Sequence, residues 1–72
     1  MYIDKRKINY QRALHCVSSA DMRNAGVTQG NMNSIWNHKS MRPETVGKIA
    51  RALKCDVLDI IENPEEYMEE GR

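Results

Sequence analysis

Uncharged hydrogen-bonding side chains cluster between residues 28 and 37, where the chain reads Thr-Gln-Gly-Asn-Met-Asn-Ser-Ile-Trp-Asn. No charged residue interrupts this stretch, although an ordinary exposed helix favours Glu, Lys and Arg because they support helicity. Amides and hydroxyls carry both donors and acceptors, which is the chemistry needed to read base edges in a DNA major groove. The competing interpretation is a plain polar helix surface. We favour base readout because Asn and Ser are poor helix formers.

The same stretch carries the signals of a tight turn followed by a short helix. Gly26 suits a sharp turn because it takes positive φ without steric cost. Thr28 can cap a helix that runs from about Gln29 to Asn37. An apolar stripe at spacing i, i+3, i+4 predicts the buried side of this helix and comprises Met32, Ile35 and Trp36, the last of them only partly buried.

Two further helices are expected before this one. Asn9 is the candidate cap of the first, whose predicted core-facing stripe is Tyr10, Ala13, Leu14 and Val17. Ser18 and Asp21 form a capping pattern at the start of the second, which has Met22 and Ala25 on its inner face and ends at Gly26. His38 is predicted to take a left-handed conformation just after the third helix.

Beyond residue 38 the pattern stays helical. Pro43 fits the first turn of a fourth helix with an inner stripe of Val46, Ile49, Ala50 and Leu53. Asp56 and Asp59 open a fifth helix that carries Val57, Ile60 and Ile61. Residues 64–70 form a short sixth helix or fray, since they contain few apolar groups. No segment predicts a strand, because period-2 alternation is absent and β-branched residues are sparse.

These elements predict an all-α fold, a compact bundle of about five short helices. A chain of 72 residues forms one small domain, for which we expect residues 1–62 as the folded unit and residues 63–72 as a short acidic helix or tail. The expected core comprises Leu14, Val27, Met32, Ile35, Val46, Ile49, Leu53, Val57 and Ile60. The absence of a long apolar run and of a signal peptide favours a cytoplasmic protein without membrane contact.

Charge is segregated along the chain, although the net charge is only +1. Residues 1–54 hold 10 basic and 3 acidic side chains, whereas residues 55–72 hold 1 basic and 7 acidic ones. A basic body can meet the phosphates of a nucleic acid. The acidic tail can engage a basic partner, repel nonspecific DNA or simply serve as a solubilising terminus.

An enzyme is the class that the sequence favours least. His15 and His38 lie beside no evident nucleophile. Cys16 and Cys55 lack the paired spacing of a metal site and are expected to be reduced, small and buried apolar side chains. We therefore expect no catalytic residues, no metal and no cofactor.

Four segments, in their order and spacing, resemble the Cro/Xre-type helix-turn-helix repressors of phages and bacteria. They are Gly26-Val27-Thr28-Gln29-Gly30, Ile35-Trp36-Asn37-His38-Lys39, Arg42-Pro43-Glu44-Thr45 and Lys48-Ile49-Ala50-Arg51-Ala52-Leu53. The resemblance spans about residues 8–62. It implies a lambda-repressor-like DNA-binding domain whose second and third helices form the motif, with the third helix in the major groove and dimers on two half-sites.

By matching positions, the resemblance implies base contacts from Thr28, Gln29, Asn33 and Ser34. Gln29 is the best candidate for a bidentate contact to adenine. Phosphate contacts are expected from Ser18, Ser19, Asn37, Lys39 and Arg42.

The main functional hypothesis is a small sequence-specific transcriptional regulator of a phage or mobile-element switch, with double-stranded operator DNA as its partner and a homodimer as one expected state. The alternative is an antirepressor-like module that binds a partner repressor and alters its DNA binding. The second helix looks shortened, and a candidate protein-binding surface comprises Trp36, Glu65, Glu66, Tyr67 and Met68. The sequence leaves both hypotheses open.

Overall fold

Four α-helices and two 3-10 turns make up the chain in a computed structural model that describes residues 1–68. The helices are α1 (Lys5–His15), α2 (Ser19–Asn24), α3 (Gln29–Trp36) and α4 (Pro43–Ala52). The turns span Val57–Asp59 and Pro64–Glu66. The all-helical bundle is thus confirmed, although the fifth element is a single 3-10 turn rather than an α-helix. No helix in the described part of the chain is long and apolar enough to span a membrane.

The first helix begins earlier, and with a different face inward, than the sequence predicts. Asp4, not Asn9, caps α1, since its carboxylate accepts from the backbone N–H of Arg6 at 2.9 Å. The predicted stripe is wrong except at Val17: Tyr10 is 63% exposed, Leu14 is 56% exposed and Ala13 is also exposed. Ile8 and Gln11 are buried instead.

A long-range contact explains this rotation of α1. Ile3 forms an isolated antiparallel bridge with Ile61, and the backbone N–H of Asp4 donates to the carbonyl of Ile60 at 2.9 Å. Both pairings fix the chain just before α1, so the helix enters with Ile8 toward the core. An apolar stripe predicted from the residues of α1 alone does not take this long-range pairing into account.

Capping in the next two helices follows the sequence prediction. The Ser18 hydroxyl accepts from the Asp21 N–H, and the Asp21 carboxylate accepts from the Ser18 N–H, each at 3.0 Å. Hydrogen bonding to the Asp21 carboxylate, first from the Ser18 backbone and then from the Ser18 side chain, lowers the pKa of Asp21 because it stabilises the ionised form. Met22 is buried as expected, whereas Ala25 is exposed and that expectation is wrong.

The core lies between the helices and the two terminal segments. Its predicted members Val27, Met32, Ile35 and Ile60 are buried, and so is the entire predicted stripe of α4. Leu14 does not belong to the core, and Val57 is only half-buried. Within the described residues, seven further buried apolar side chains lie outside the expected core list: Ile3, Ile8, Val17, Met22, Met41, Ala50 and Ile61.

Candidate nucleic-acid interface

The turn between α2 and α3 fixes where the polar helix begins. Gly26 has φ of +97°, a conformation that L side chains rarely adopt. The next residue, Val27, is fully buried and its N–H donates to the Met22 carbonyl at 3.0 Å. The chain therefore reverses direction within two residues, and the buried Val27 holds it against the core before α3 starts.

A reciprocal capping box starts α3. The Thr28 hydroxyl accepts from the Asn31 N–H, and the Asn31 side-chain oxygen accepts from the Thr28 N–H, each at 3.1 Å. A cap of this kind contributes about 1 kcal/mol to helix stability. Thr28 is thus a structural cap as well as a candidate base contact, since its hydroxyl can still donate its proton.

The helix α3 is anchored on one side and exposed on the other. Met32 and Ile35 are buried against the core. Gly30 precedes Met32 by two residues and Ile35 by five, so it points about 140–160° away from both at 100° per residue. Gln29 and Asn33 are exposed and Ser34 is half-buried. Trp36 is 37% exposed, the partial burial predicted from the sequence.

Two side-chain hydrogen bonds arrange this polar face. The Gln29 Nε2 donates to the Asn33 Oδ1 at 3.2 Å, so the structure brings together two of the candidate base contacts. The Ser34 hydroxyl donates to the Gly30 carbonyl at 3.0 Å, which leaves Ser34 with acceptor capacity only.

Polar and basic groups surround the C-terminal end of α3. Asn37 is the exposed C-cap residue, and its N–H donates to the Asn33 carbonyl at 2.9 Å. Lys39 follows in the exposed loop, where its N–H donates to the Ser34 carbonyl at 2.9 Å. Lys5, which the sequence analysis did not propose, reaches this end from α1 and donates from Nζ to the Trp36 carbonyl at 3.3 Å. No local pattern identifies Lys5, because 31 residues separate it from Trp36.

His38 connects the end of α3 to both terminal segments. It takes φ of +54°, as predicted, and its Nε2 lies 2.8 Å from the Glu62 Oε2. Its ring stacks on Tyr2 with centroids 4.6 Å apart. These contacts hold the exit of α3 against residues that are distant in the sequence.

The remaining candidate phosphate contacts lie at the starts of other helices. Ser18 is the exposed N-cap of α2, whereas Ser19 is half-buried and its hydroxyl accepts from the Arg12 Nη2 at 3.2 Å. Arg42 is the exposed N-cap residue of α4 and makes no side-chain cap. It borders a polar cleft of about 280 Å³ between α3 and α4, lined by Asn31, Ser34, Ser40, Met41, Arg42 and Thr45.

The candidate protein-binding residues of the tail are exposed. Glu65 and Glu66 belong to a 3-10 turn rather than to the predicted helix over 64–70, and Tyr67 and Met68 follow it. Residues 69 and 70, the rest of that predicted helix, lie outside the described residues.

The cysteines occupy different environments. Cys16 is exposed, so its expected burial is wrong, and Cys55 is half-buried; each has a free thiol. Burial, and then the nearby carboxylates of Asp59 and Asp56, raise the pKa of Cys55 to about 11. Among residues 1–68, no three His, Cys, Asp or Glu side chains come together in a way that could hold a metal ion.

Comparison with protein families gives one match to this chain. A family model described as a Cro/C1-type HTH DNA-binding domain matches residues 1–66. Neither the comparison with curated proteins nor the comparison with solved structures finds a match.

Proposed function

The chain belongs to the Cro/C1-type family of helix-turn-helix DNA-binding domains, and from that premise we propose that it regulates transcription by reading operator DNA with α3. The observation that carries the proposal is the division of α3 into two sides. Met32 and Ile35 fix the helix on the core, while Gln29 and Asn33 stand on the exposed side. A major groove is wide enough for such a helix, and base edges match amide groups.

Basic groups in the segment that follows α3 supply the sequence-independent part of the proposed binding. Lys39 follows α3 directly, and Arg42 begins the next helix. Both are exposed, and neither forms an ion pair with a carboxylate among residues 1–68. Unpaired cations at these positions can approach phosphates without first giving up a protein partner.

The remaining expected contacts are assigned by position. We propose that Thr28, Gln29, Asn33 and Ser34 face bases, with Ser34 as an acceptor because its proton is used within α3. Ser18, Ser19 and Asn37 are the proposed polar phosphate contacts. Ser19 must then share its hydroxyl between Arg12 and the phosphate, which makes it the weakest member of the set.

Binding to a selected operator tests the proposal. Duplexes selected from a random pool with the full chain should share a common half-site, and their affinity should fall steeply with salt because each neutralised phosphate adds about −0.9 to the log–log slope. Equal, unselective affinity for every duplex would contradict base readout.

A matched pair of variants assigns the phosphate contacts. Arg42→Ala should reduce the magnitude of the salt slope by about 1 per bound chain. Arg51→Ala removes the same charge from the last turn of α4, roughly 13 Å along the helix axis from Arg42, and should leave the slope unchanged. A wild-type slope for Arg42→Ala would exclude Arg42 from the interface, and an equal reduction by Arg51→Ala would show that the effect is not specific to Arg42.

The setting of this regulator is proposed to be a phage or mobile-element switch, acting on two operator half-sites as a homodimer. A divergently transcribed repressor gene next to its own gene, together with a solution mass of two chains, would support this setting. A monomer that occupies a single half-site would contradict the dimer.

The second candidate function is to bind a partner repressor and alter its DNA binding. The observation in its favour is a set of exposed large apolar side chains next to the acidic residues Glu65 and Glu66, namely Tyr67 and Met68, with Trp36 at the edge of α3. Such groups suit contact with a basic protein surface. Co-elution with the repressor encoded beside it, abolished by Tyr67→Ala with Met68→Ala, would support this function. Failure to bind any neighbouring regulator would contradict it.

A further inference from the structure

The hydrogen bond between Gln29 and Asn33 determines which groups of each amide remain for DNA. Gln29 uses one N–H of Nε2 on the Asn33 Oδ1 and keeps the other N–H together with its Oε1. One donor beside one acceptor is the pattern that adenine requires, since its N7 accepts and its N6 donates in the major groove.

The spacing of the two residues along α3 favours the hydrogen bond between their side chains. Gln29 and Asn33 are separated by four positions, so their side chains lie one above the other on the same face of α3. The capping box between Thr28 and Asn31 spans Gln29 and fixes the backbone from which its side chain extends. Gly30, between them, has no side chain that could displace the amide.

We propose that Asn33 is a positioning residue that holds the Gln29 amide in the orientation that reads adenine, so that the two side chains recognise one A·T base pair as a unit. The inference rests on the proposed function and extends it to a mechanism of specificity. A mobile glutamine can rotate its amide and accept a donor from cytosine or donate to guanine. A glutamine held through one N–H by Asn33 presents its other N–H beside Oε1, and adenine is the base whose major-groove edge pairs with both groups at once.

Asn33 also retains groups of its own. Its Nδ2 carries two N–H donors that no described side chain accepts, and these can reach an acceptor on the adjacent base pair. Every base pair has such an acceptor in the major groove, so this second contact adds affinity without selecting the adjacent base pair.

Three variants of the full chain separate positioning from general binding. Gln29→Ala identifies the base pair that Gln29 reads: it is the one operator position at which this variant no longer discriminates between base pairs. Asn33→Ala removes the oxygen that accepts from Gln29. Asn33→Asp keeps an oxygen for Gln29 but carries no N–H donors. Asn33 is exposed, so both substitutions leave the core intact, and circular dichroism verifies folding.

The measured quantity is the ratio of affinities for A·T and G·C at the position assigned to Gln29. A good bidentate contact gives the wild-type chain a ratio of about tenfold or more. We expect Asn33→Ala to lower this ratio to about threefold or less, and Asn33→Asp to retain about tenfold despite a lower absolute affinity from its negative charge. Replacing the adenine by 7-deazaadenine should weaken wild type and Asn33→Asp but have little effect on Asn33→Ala.

The outcomes also distinguish this inference from the function on which it depends. If the wild-type chain selects a specific operator and Asn33→Ala keeps the full ratio, or if no single base pair responds to Gln29→Ala, the positioning role is overturned while operator binding stands. If the wild-type chain selects no sequence, the proposed function and this inference both fail.

Discussion

Two glycines inside helices allow fold stability and DNA binding to be perturbed separately. Gly30 lies in the first turn of α3 and Gly47 in the middle of α4, and neither has a positive φ. A Cβ at Gly30 would meet only the Thr28 Oγ1, at 3.6 Å, and a Cβ at Gly47 would meet nothing within 4 Å. Both sites therefore accept alanine without a clash in the free protein.

Gly30→Ala and Gly47→Ala should each stabilise the free chain. Glycine within a helix is less favourable than alanine by about 0.5–1 kcal/mol, because it loses more conformational freedom on folding. For a domain of this size, that gain raises the thermal midpoint by about 2–8 °C. Thermal unfolding followed by circular dichroism measures both shifts.

Operator binding should distinguish the two variants. Gly30 lies at the centre of the exposed side of α3, so an added methyl group would enter the proposed protein–DNA interface. An extra methyl in a close-packed site costs about 1–3 kcal/mol, which corresponds to an affinity about 5- to 150-fold weaker. Gly47 lies on a different helix, and Gly47→Ala should bind like the wild type.

The refuting result is a Gly30→Ala chain that is more stable and binds its operator with unchanged affinity. The face of α3 centred on Gly30 would then not be closely apposed to DNA. Equal weakening by both variants would also contradict the prediction, since Gly47 lies outside the proposed interface and the loss would not be specific to the exposed face of α3.

Three further predictions concern the caps and the thiols. Thr28→Ala should destabilise the fold by about 1 kcal/mol in urea unfolding, because it removes the side-chain cap of α3. Thr28→Ser keeps the capping hydroxyl and should lose less stability; equal losses for the two variants would contradict the cap's role. The wild-type chain should be more stable than Asp21→Asn at pH 6 and should lose that advantage as the pH falls below 3.8, because the pKa of Asp21 is lowered in the folded chain and its carboxylate stabilises the fold only while it is ionised. A stability difference that does not change with pH would refute this. At pH 8 iodoacetamide should modify exposed Cys16 well before Cys55, whose raised pKa of about 11 keeps it a thiol, and mass spectrometry of the digested chain would reveal the opposite order if the assignment is wrong.

The parts of the fold that the sequence predicts correctly are those specified by neighbouring residues. The capping box at Ser18, the cap at Thr28, the turn at Gly26 and the proline at the start of α4 all act within four residues. The apolar stripe of α4 is also correct, because both sides of that helix differ clearly in polarity. Local rules of this kind carry most of the information about α2, α3 and α4.

The sequence predictions are wrong where contacts between residues distant in the sequence determine the structure. The inward face of α1 depends on the bridge between Ile3 and Ile61, so Tyr10 and Leu14 form a plausible stripe in the sequence yet remain exposed. The same limit applies at the candidate interface. The candidate residues on α3 can be identified within one short segment of the sequence. The contact of Lys5 with the end of α3 cannot, because it depends on how α1 packs.

Chemical shift mapping of the backbone amides during titration with selected operator DNA would show which surface of the chain meets DNA. We expect the largest changes at residues 28–34 and at 37–42, the polar face of α3 and the loop that follows it. Tyr10 and Leu14 on the exposed side of α1 should change little. Changes concentrated at Tyr10, Leu14 and residues 65–68, with those of α3 unaffected, would show that the chain meets its partner through another surface.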